Sequence, residues 1–431
     1  MKRVNAKSSG VPFKVKPLGA ALAIALGATF VMPSVQAVNI AEDGIGEVLL
    51  FPYYTVRNGF DTNINITNTT DSTVAFKIRF REGENSRDAR DFNVVLSPRD
   101  VWNGTVTLAP DGQVARFVTG DKSCTAPLLP IAVGNDRFAV DFTDLDYTGL
   151  NNDFGSQGLD RTKEGYIEII AMGSAPPGAE TDPDLFNGIP YNAKHDSDGI
   201  PRDCAAVRQA FNPLGSLAAT QATFLEPINS LKGTASLIDV ASGKGLTMEP
   251  TVLANFYNPA FIDGAGAPGN NLMTFPASVE PDLSQTSPSI AQIHSPNEVG
   301  FSPVGFFPGT GDAVSAVLSR NSVINQFSVN PGNNALTDWV VTFPTKKFYV
   351  DTRYVSTVRQ PFASTGAGTF QPSGDSCVPV RFNVWDREEF SPDVPDDLQF
   401  SPPRPGPAPS SICSEVNVIT FNNSNLLGSA L

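Results

Sequence analysis

Residues 74–82 read VAFKIRFRE. Val74, Phe76, Ile78 and Phe80 fall on one side of an extended chain and Lys77, Arg79 and Arg81 on the other, a period of two that predicts a half-buried β-strand. Just upstream, TNINIT (62–67) sets Thr62, Ile64 and Ile66 on one face, and NTTDST (68–73) is turn chemistry, so the two segments are expected to form a hairpin. FNVVL (92–96), GTVTL (104–108), QVARFV (113–118) and GYIEIIAM (165–172) continue the series. Turn signals about 8–12 residues apart are the spacing of a sandwich. The chain holds 36 glycines and 36 prolines in 431 residues, too many for a helical protein. The expectation is an all-β fold: an antiparallel, Ig-like β-sandwich with long Pro/Gly-rich loops and a few short helices.

Composition divides the chain. Residues 38–175 are expected to form the N-terminal Ig-like sandwich and 176–225 a loop-rich insertion with one short helix at CAAVRQAF (204–211), N-capped by Asp203. Residues 226–431 form a C-terminal β-rich domain. There, SGKG (242–245) marks a hairpin turn, and DWVVTF (338–343), KKFYVD (346–351), VPVRFNVWDRE (378–388) and EVNVITF (415–421) read as strands. DAVSAVLSR (312–320) reads as a second short helix, and the Pro-rich 390–411 as an extended loop.

The most apolar stretch, IGEVLLFPYYTV (45–56), reads as the first strand, with Val48, Leu50 and Tyr53 on one face and Leu49 and Phe51 on the other. Pro52 lacks an amide hydrogen, which confines such a strand to an edge or ends it. Two arrangements satisfy this segment: pairing within its own chain, or donation to the sheet edge of a neighbouring subunit as an assembly strand.

An export signal precedes it. Lys2, Arg3, Lys7, Lys14 and Lys16 form a positive n-region, residues 18–32 an apolar core too short for a membrane span, and SVQA (34–37) places small residues for cleavage after Ala37. Loss of those five basic residues takes the formal net charge from −14 to −19. Nucleic acid and anionic lipid are therefore excluded as partners, and no later stretch is apolar enough for a transmembrane helix. An extracellular or cell-surface location is expected, with the periplasm as the alternative. The four cysteines, Cys124, Cys204, Cys377 and Cys413, read in an oxidising compartment as two disulfides. Pairing Cys124 with Cys204 and Cys377 with Cys413 closes the shorter loops.

Candidate chemistry is sparse. Cofactors are expected to be none, with calcium as the arguable ligand: Asp141, Asp144, Asp146 and Asp153 crowd one acidic loop, and HDSDG (195–199) offers Asp196 and Asp198 but no position-twelve glutamate. FREGENSRDARD (80–91) reads as a hairpin loop laced by its own ion pairs. The carboxylates Asp386, Glu388 and Glu389 follow Trp385, as a polysaccharide hydrolase requires, but Arg387 between them favours local ion pairs. With two histidines and no G-x-S-x-G elbow, no catalytic residue is assigned.

EDGIGEVLLFPYYTVRNG (42–59), KIRFREGENSRDARDFNVVLSPRDVW (77–102), WVVTFPTKKFYVD (339–351) and FNVWDREE (382–389) together resemble a family of exported cell-surface proteins of Gram-negative bacteria with no established activity. The resemblance implies export and a surface location and supplies no site residues. The expected function is that of a noncatalytic surface or extracellular-matrix protein, structural or adhesive, with protein, polysaccharide or its own copies as partners. A secreted hydrolase is the alternative.

Overall fold

In the computed structural model, VAFKIRFRE lies in a ten-residue strand, β4 (Thr73–Glu82), at the heart of a seven-stranded antiparallel sheet. The structure describes residues 37–257 except 213, 215–219 and 221–223, together with 281–285, 290–293, 304–307, 311–320, 322–329, 332, 335–354, 361–362, 376–385, 410–421 and 424–431. The export signal and its cleavage motif up to residue 36, His294 and the carboxylates at 386–389 lie outside the described residues.

Two sheets form the sandwich. The first joins β1 (Asn39–Ile40), β14 (Thr251–Ala254), β2 (Val48–Thr55), β11 (Glu164–Ala175), β4, β5 (Asp88–Leu96) and β8 (Cys124–Ala126) in that order. The second joins β13 (Lys244–Met248), β12 (Leu231–Asp239), β3 (Asp61–Asn68), β6 (Val101–Leu108), β7 (Ala115–Thr119), β10 (Arg137–Asp141) and β9 (Ile131–Gly134). The all-β antiparallel sandwich is as expected, though with two seven-stranded sheets it is larger than an immunoglobulin domain.

The expected hairpin of 62–67 with 74–82 does not form. β3 pairs with β6 and β12 in one sheet, while β4 pairs with β5 and β11 in the other. Residues 68–73 arch between the sheets, and the buried Asn68 fastens the arch: its Nδ2 donates to the carbonyls of Ser72 and Ser97, and its Oδ1 accepts from the Thr70 amide. Both apolar faces then meet across the core, Ile64 and Ile66 opposite Phe76, Ile78 and Phe80.

Three strands of the sandwich come from beyond residue 226. β12 and β13 form the hairpin expected around SGKG, and β14 lies against β2. Other described residues cover the outer face of the first sheet. Ile189, Val207 and Phe224 pack on Val95 and Met172, while Val314, Val317 and Phe348 pack on Val48, Leu50 and Leu253. Residues 36–431 accordingly group as one unit. The helices expected at 204–211 and 312–320 are present as Cys204–Ala210 and Asp312–Leu318, the first capped by the Asp203 carboxylate.

Two expected strands are corrected. KKFYVD forms a helical turn, Lys347–Val350, all four residues of which are buried; a turn lets Phe348 and Tyr349 both reach the apolar layer, where a strand would turn one of them away. Among the described residues of VPVRFNVWDRE, Val378–Val380 alone pairs, with Ser410–Ile412. Among the described residues nothing continues that ladder, and Phe382 and Trp385 are exposed.

The sandwich core is aromatic. Trp102 and Phe117 stack at 5.3 Å, and Phe80 meets Tyr54, Phe92, Phe117 and Phe142. Gly104 faces this cluster because a Cβ there would lie 2.1 Å from Phe117 Cζ. Gly104→Ala is therefore expected to force the ring from its stack and to cost about 1–3 kcal/mol. Urea unfolding followed by tryptophan fluorescence measures this, and an unchanged midpoint would contradict the packing.

Candidate functional site

The disulfides join Cys124 to Cys204 and Cys377 to Cys413, the pairs expected from the spacing. The first ties the helix Cys204–Ala210 to edge strand β8, and so binds the insertion to the sandwich. The second closes the end of the short ladder between Val378–Val380 and Ser410–Ile412.

The segment read either as a strand of its own chain or as an assembly strand, Val48, Leu49, Leu50, Phe51 and Tyr53, is an interior strand of its own chain, hydrogen-bonded by β14 on one side and β11 on the other. Pro52 is accommodated without placing β2 at an edge. Pairing with β14 ends at Leu50, so no amide hydrogen is needed beyond it, and on the other side Pro52 and Tyr53 bulge opposite the single residue Tyr166. The bulge also shifts the alternation. Leu49, Phe51 and Tyr54 enter the sandwich core, whereas Val48, Leu50 and Tyr53 face the covering layer.

Among the described residues, that outer face holds a cluster of buried charge. All ten residues of β4 are buried, so Lys77, Arg79 and Arg81 do not meet water as a half-buried strand would require. Arg81 Nε donates to Glu168 at 2.8 Å, and Lys347 Nζ donates to the same carboxylate at 2.9 Å. With neither Glu168 nor Lys347 exposed, the two cations hold the Glu168 carboxyl down to about 2 against the pull of burial. Arg161 donates to Glu82 and to Asp153, and lies over the Tyr147 ring at 4.3 Å. Arg87 reaches Asp153 and Asp351.

The hairpin read from 80–91 is present, but its charges bond mostly outward. Within it Arg81 pairs with Asp88 at 3.1 Å, and the Glu82 carboxylate accepts the amides of Glu84, Asn85 and Arg87. The missed signal was the excess of arginine on a strand face, which needs distant acids to cover it.

Five of the six candidate calcium ligands have their carboxylates on cations or an amide. Asp141 pairs with Arg116, Asp146 with Arg353, Asp153 with Arg161, and Asp196 with Arg202. Asp198 accepts the Ile200 amide, and the Asp144 carbonyl accepts the Thr148 hydroxyl. Among the described residues no three His, Cys, Asp or Glu side chains gather as a metal ion would need. His195 has both Ser97 Oγ and Asp100 Oδ2 at 3.5 Å from its Nδ1. A relay needs one partner on each ring nitrogen, so this trio is not a nucleophile with its base.

By contrast, the second sheet leaves its outer face open. Asn63, Asn65 and Thr67 lie beside Thr105, Asn103 and Val101, and Thr234 and Ser236 extend the rows onto β12. Asn65, Val101 and Asn103 are exposed. Side-chain bonds such as Thr105 to Asn63 at 2.6 Å order this surface.

No protein-family model matches the chain, nor does any curated protein or solved structure at the level of significance applied.

Further buried carboxyls contribute to the pH dependence of stability, among them Asp351, which burial pushes up to about 6. Burial pushes Glu47 and Glu415 up to about 8 from an ordinary 4.5, although Glu47 accepts the Tyr257 amide and Glu415 lies near Lys346. Folding then takes up protons between pH 4.5 and 8, so stability falls as pH rises through that window, by at most about 1.4 kcal/mol per pH unit for each group. Glu168 acts oppositely, losing its contribution as pH falls from 4.5 toward 2. Maximal stability is expected near pH 4.5–5. Glu415→Gln should flatten the alkaline fall, measured as Tm against pH; a wild-type optimum above 8 would refute the assignment. Lys347→Met leaves Glu168 short of one cation and is expected to cost about 3–5 kcal/mol. Chemical denaturation tests it, and a change within experimental error would show that Arg81 alone suffices.

Proposed function

We propose that the protein is an exported, noncatalytic component of the cell surface or extracellular matrix, structural or adhesive, that contacts protein or polysaccharide through the open face of its second sheet. The observation that carries this reading is the contrast between the two sheets. One outer face is sealed by a third layer; the other presents amide and hydroxyl rows from β3, β6 and β12. Such a face has no enclosing walls to exclude water from a reaction, but it lays many neutral donors and acceptors along an extended partner. The acidic balance of the chain disfavours polyanions, so neutral polysaccharide or a basic protein surface is the compatible partner. Export agrees with the two disulfides, which persist outside the reducing cytosol.

Labelled antibody on intact cells should reach the protein, and the purified protein should bind isolated surface polysaccharide without degrading it. Asn65→Arg combined with Thr105→Arg places two guanidinium groups on the face. It is expected to lower retention about tenfold with an unchanged Tm. Release of reducing sugar above the buffer rate by the wild type would overturn the noncatalytic reading.

A further inference from the structure

Residues 424–431, SNLLGSAL, are held in a groove that reads a turned peptide through side chains and not through a β-ladder. Asn58 Nδ2 donates to the Leu426 carbonyl at 2.8 Å, and the Leu427 amide donates to Asp338 Oδ2 at 2.9 Å. Ser429 Oγ and the Ala430 amide donate to the two oxygens of Glu164 at 2.6 and 2.8 Å. Leu427 is buried among Tyr53, Phe60, Tyr166 and Leu237, and Leu431 lies on Gly83, where a Cβ would come within 2.2 Å of its Cδ1. Gly428 takes a positive φ of 63°, against Asn58. An apolar anchor, a glycine turn, two small residues and a second apolar contact thus form a recognisable pattern, with backbone bonds for affinity and pockets for specificity.

At Glu164 the groove keeps its partners without its occupant. Glu164 also accepts from Tyr53 Oη at 2.8 Å and from Arg57 Nε at 2.6 Å, so removal of the segment leaves that carboxylate paired. Leaving it unpaired in the interior would be costly. What the empty groove would expose is the apolar wall around Leu427, which favours recapture of a matching segment. Of residues 424–431 only Leu427 is fully buried, and none belongs to a strand. Exchange therefore breaks a few side-chain contacts, whereas donation of β2 would strip a strand hydrogen-bonded on both edges from the middle of a sheet.

We infer that this groove takes residues 424–431 of a second copy of the chain, so that copies join by exchanging this segment. The inference rests on the proposed surface or matrix role, in which self-association is useful, and it replaces β2 with 424–431 as the exchanged element. An exchanged segment makes the same contacts in trans as in cis, so association requires no new surface and is governed by concentration.

The test uses full-length protein in two isotopic forms. Chains at natural abundance carry a photoreactive benzophenone side chain at position 430, an exposed site, and are incubated at high concentration with unmodified ¹⁵N chains before irradiation. Mass spectrometry of crosslinked peptides should then find the unlabelled segment joined to ¹⁵N peptides containing residues 53–60 or 164–168. Excess free SNLLGSAL peptide should suppress that crosslink. Glu164→Gln in the ¹⁵N chain, which keeps the side-chain shape while removing one charged acceptor, should lower its yield about tenfold. Crosslinks confined to the unlabelled chain at every concentration would overturn the inference, as would mixed crosslinks that neither the peptide nor Glu164→Gln affects. Sedimenting polymers that lack the mixed crosslink would also refute it while leaving the surface role intact. Hydrolysis of polysaccharide would instead strike the surface role itself.

Discussion

The first sheet carries cations on the side that faces away from the sandwich core, and the remainder of the fold answers to that constraint. Arg81 and Lys347 meet on one oxygen pair of Glu168, with no water exposure at Glu168 or Lys347. Removing three such charges from water is expensive, and the expense is offset only where geometry supplies several short contacts at once. β4 contributes Arg81, the neighbouring β11 contributes Glu168, and the turn Lys347–Val350 arrives from the covering layer. An apolar cover over an apolar face can slide or rotate at little cost. A cover whose lysine must reach one carboxylate cannot. The ionic layer thus fixes the register of the third layer, a specificity role that does not require it to be the main source of stability.

The same constraint separates what the sequence could reveal from what it could not. A period of two assigns side chains to faces, and it holds for Val48 and Leu50 against Leu49 and Phe51, while the bulge at Pro52 and Tyr53 is what brings Tyr53 onto the face of Val48 and Leu50. It says nothing of which sheet a strand joins. TNINIT and VAFKIRFRE satisfy their apolar faces equally well as a hairpin or as opposed strands, and the choice rests on buried Asn68, whose bonds run to Ser72 and to the distant Ser97. Nor does alternation distinguish a wet polar face from a covered one. Lys77, Arg79 and Arg81 spell a solvent face until Glu168 and Lys347, far along the chain, are brought over them.

The acidic residues follow the same logic. A run such as that around Asp141 to Asp153 has one composition whether it is solvated, binds calcium or is neutralised by arginine. What decides is the position of Arg116, Arg161 and Arg353, which only the fold supplies. Cysteine pairing was legible because loop closure favours short separations and the redox setting favours full oxidation. Pro52 shows the reverse case: the rule that proline avoids interior strands holds for the hydrogen-bond ladder, and the bulge at Tyr53 satisfies the ladder while leaving the strand central.

Charge neutralised in the interior leaves the surface less balanced than the composition suggests. Arg81, Arg87, Arg161 and Lys347 are all buried with their acids, so their pairs contribute little to the field outside. The chain's formal −14 therefore arises outside these pairs. Copies that approach one another at low salt repel, whereas at physiological ionic strength the field is screened beyond about 8 Å. A contact made inside a groove, with Glu164 already partnered by Arg57, places no new charge between the copies. Short-range apolar and hydrogen-bonded exchange is thus a form of association this acidic surface tolerates, whereas broad face-to-face docking of two copies would press like charges together.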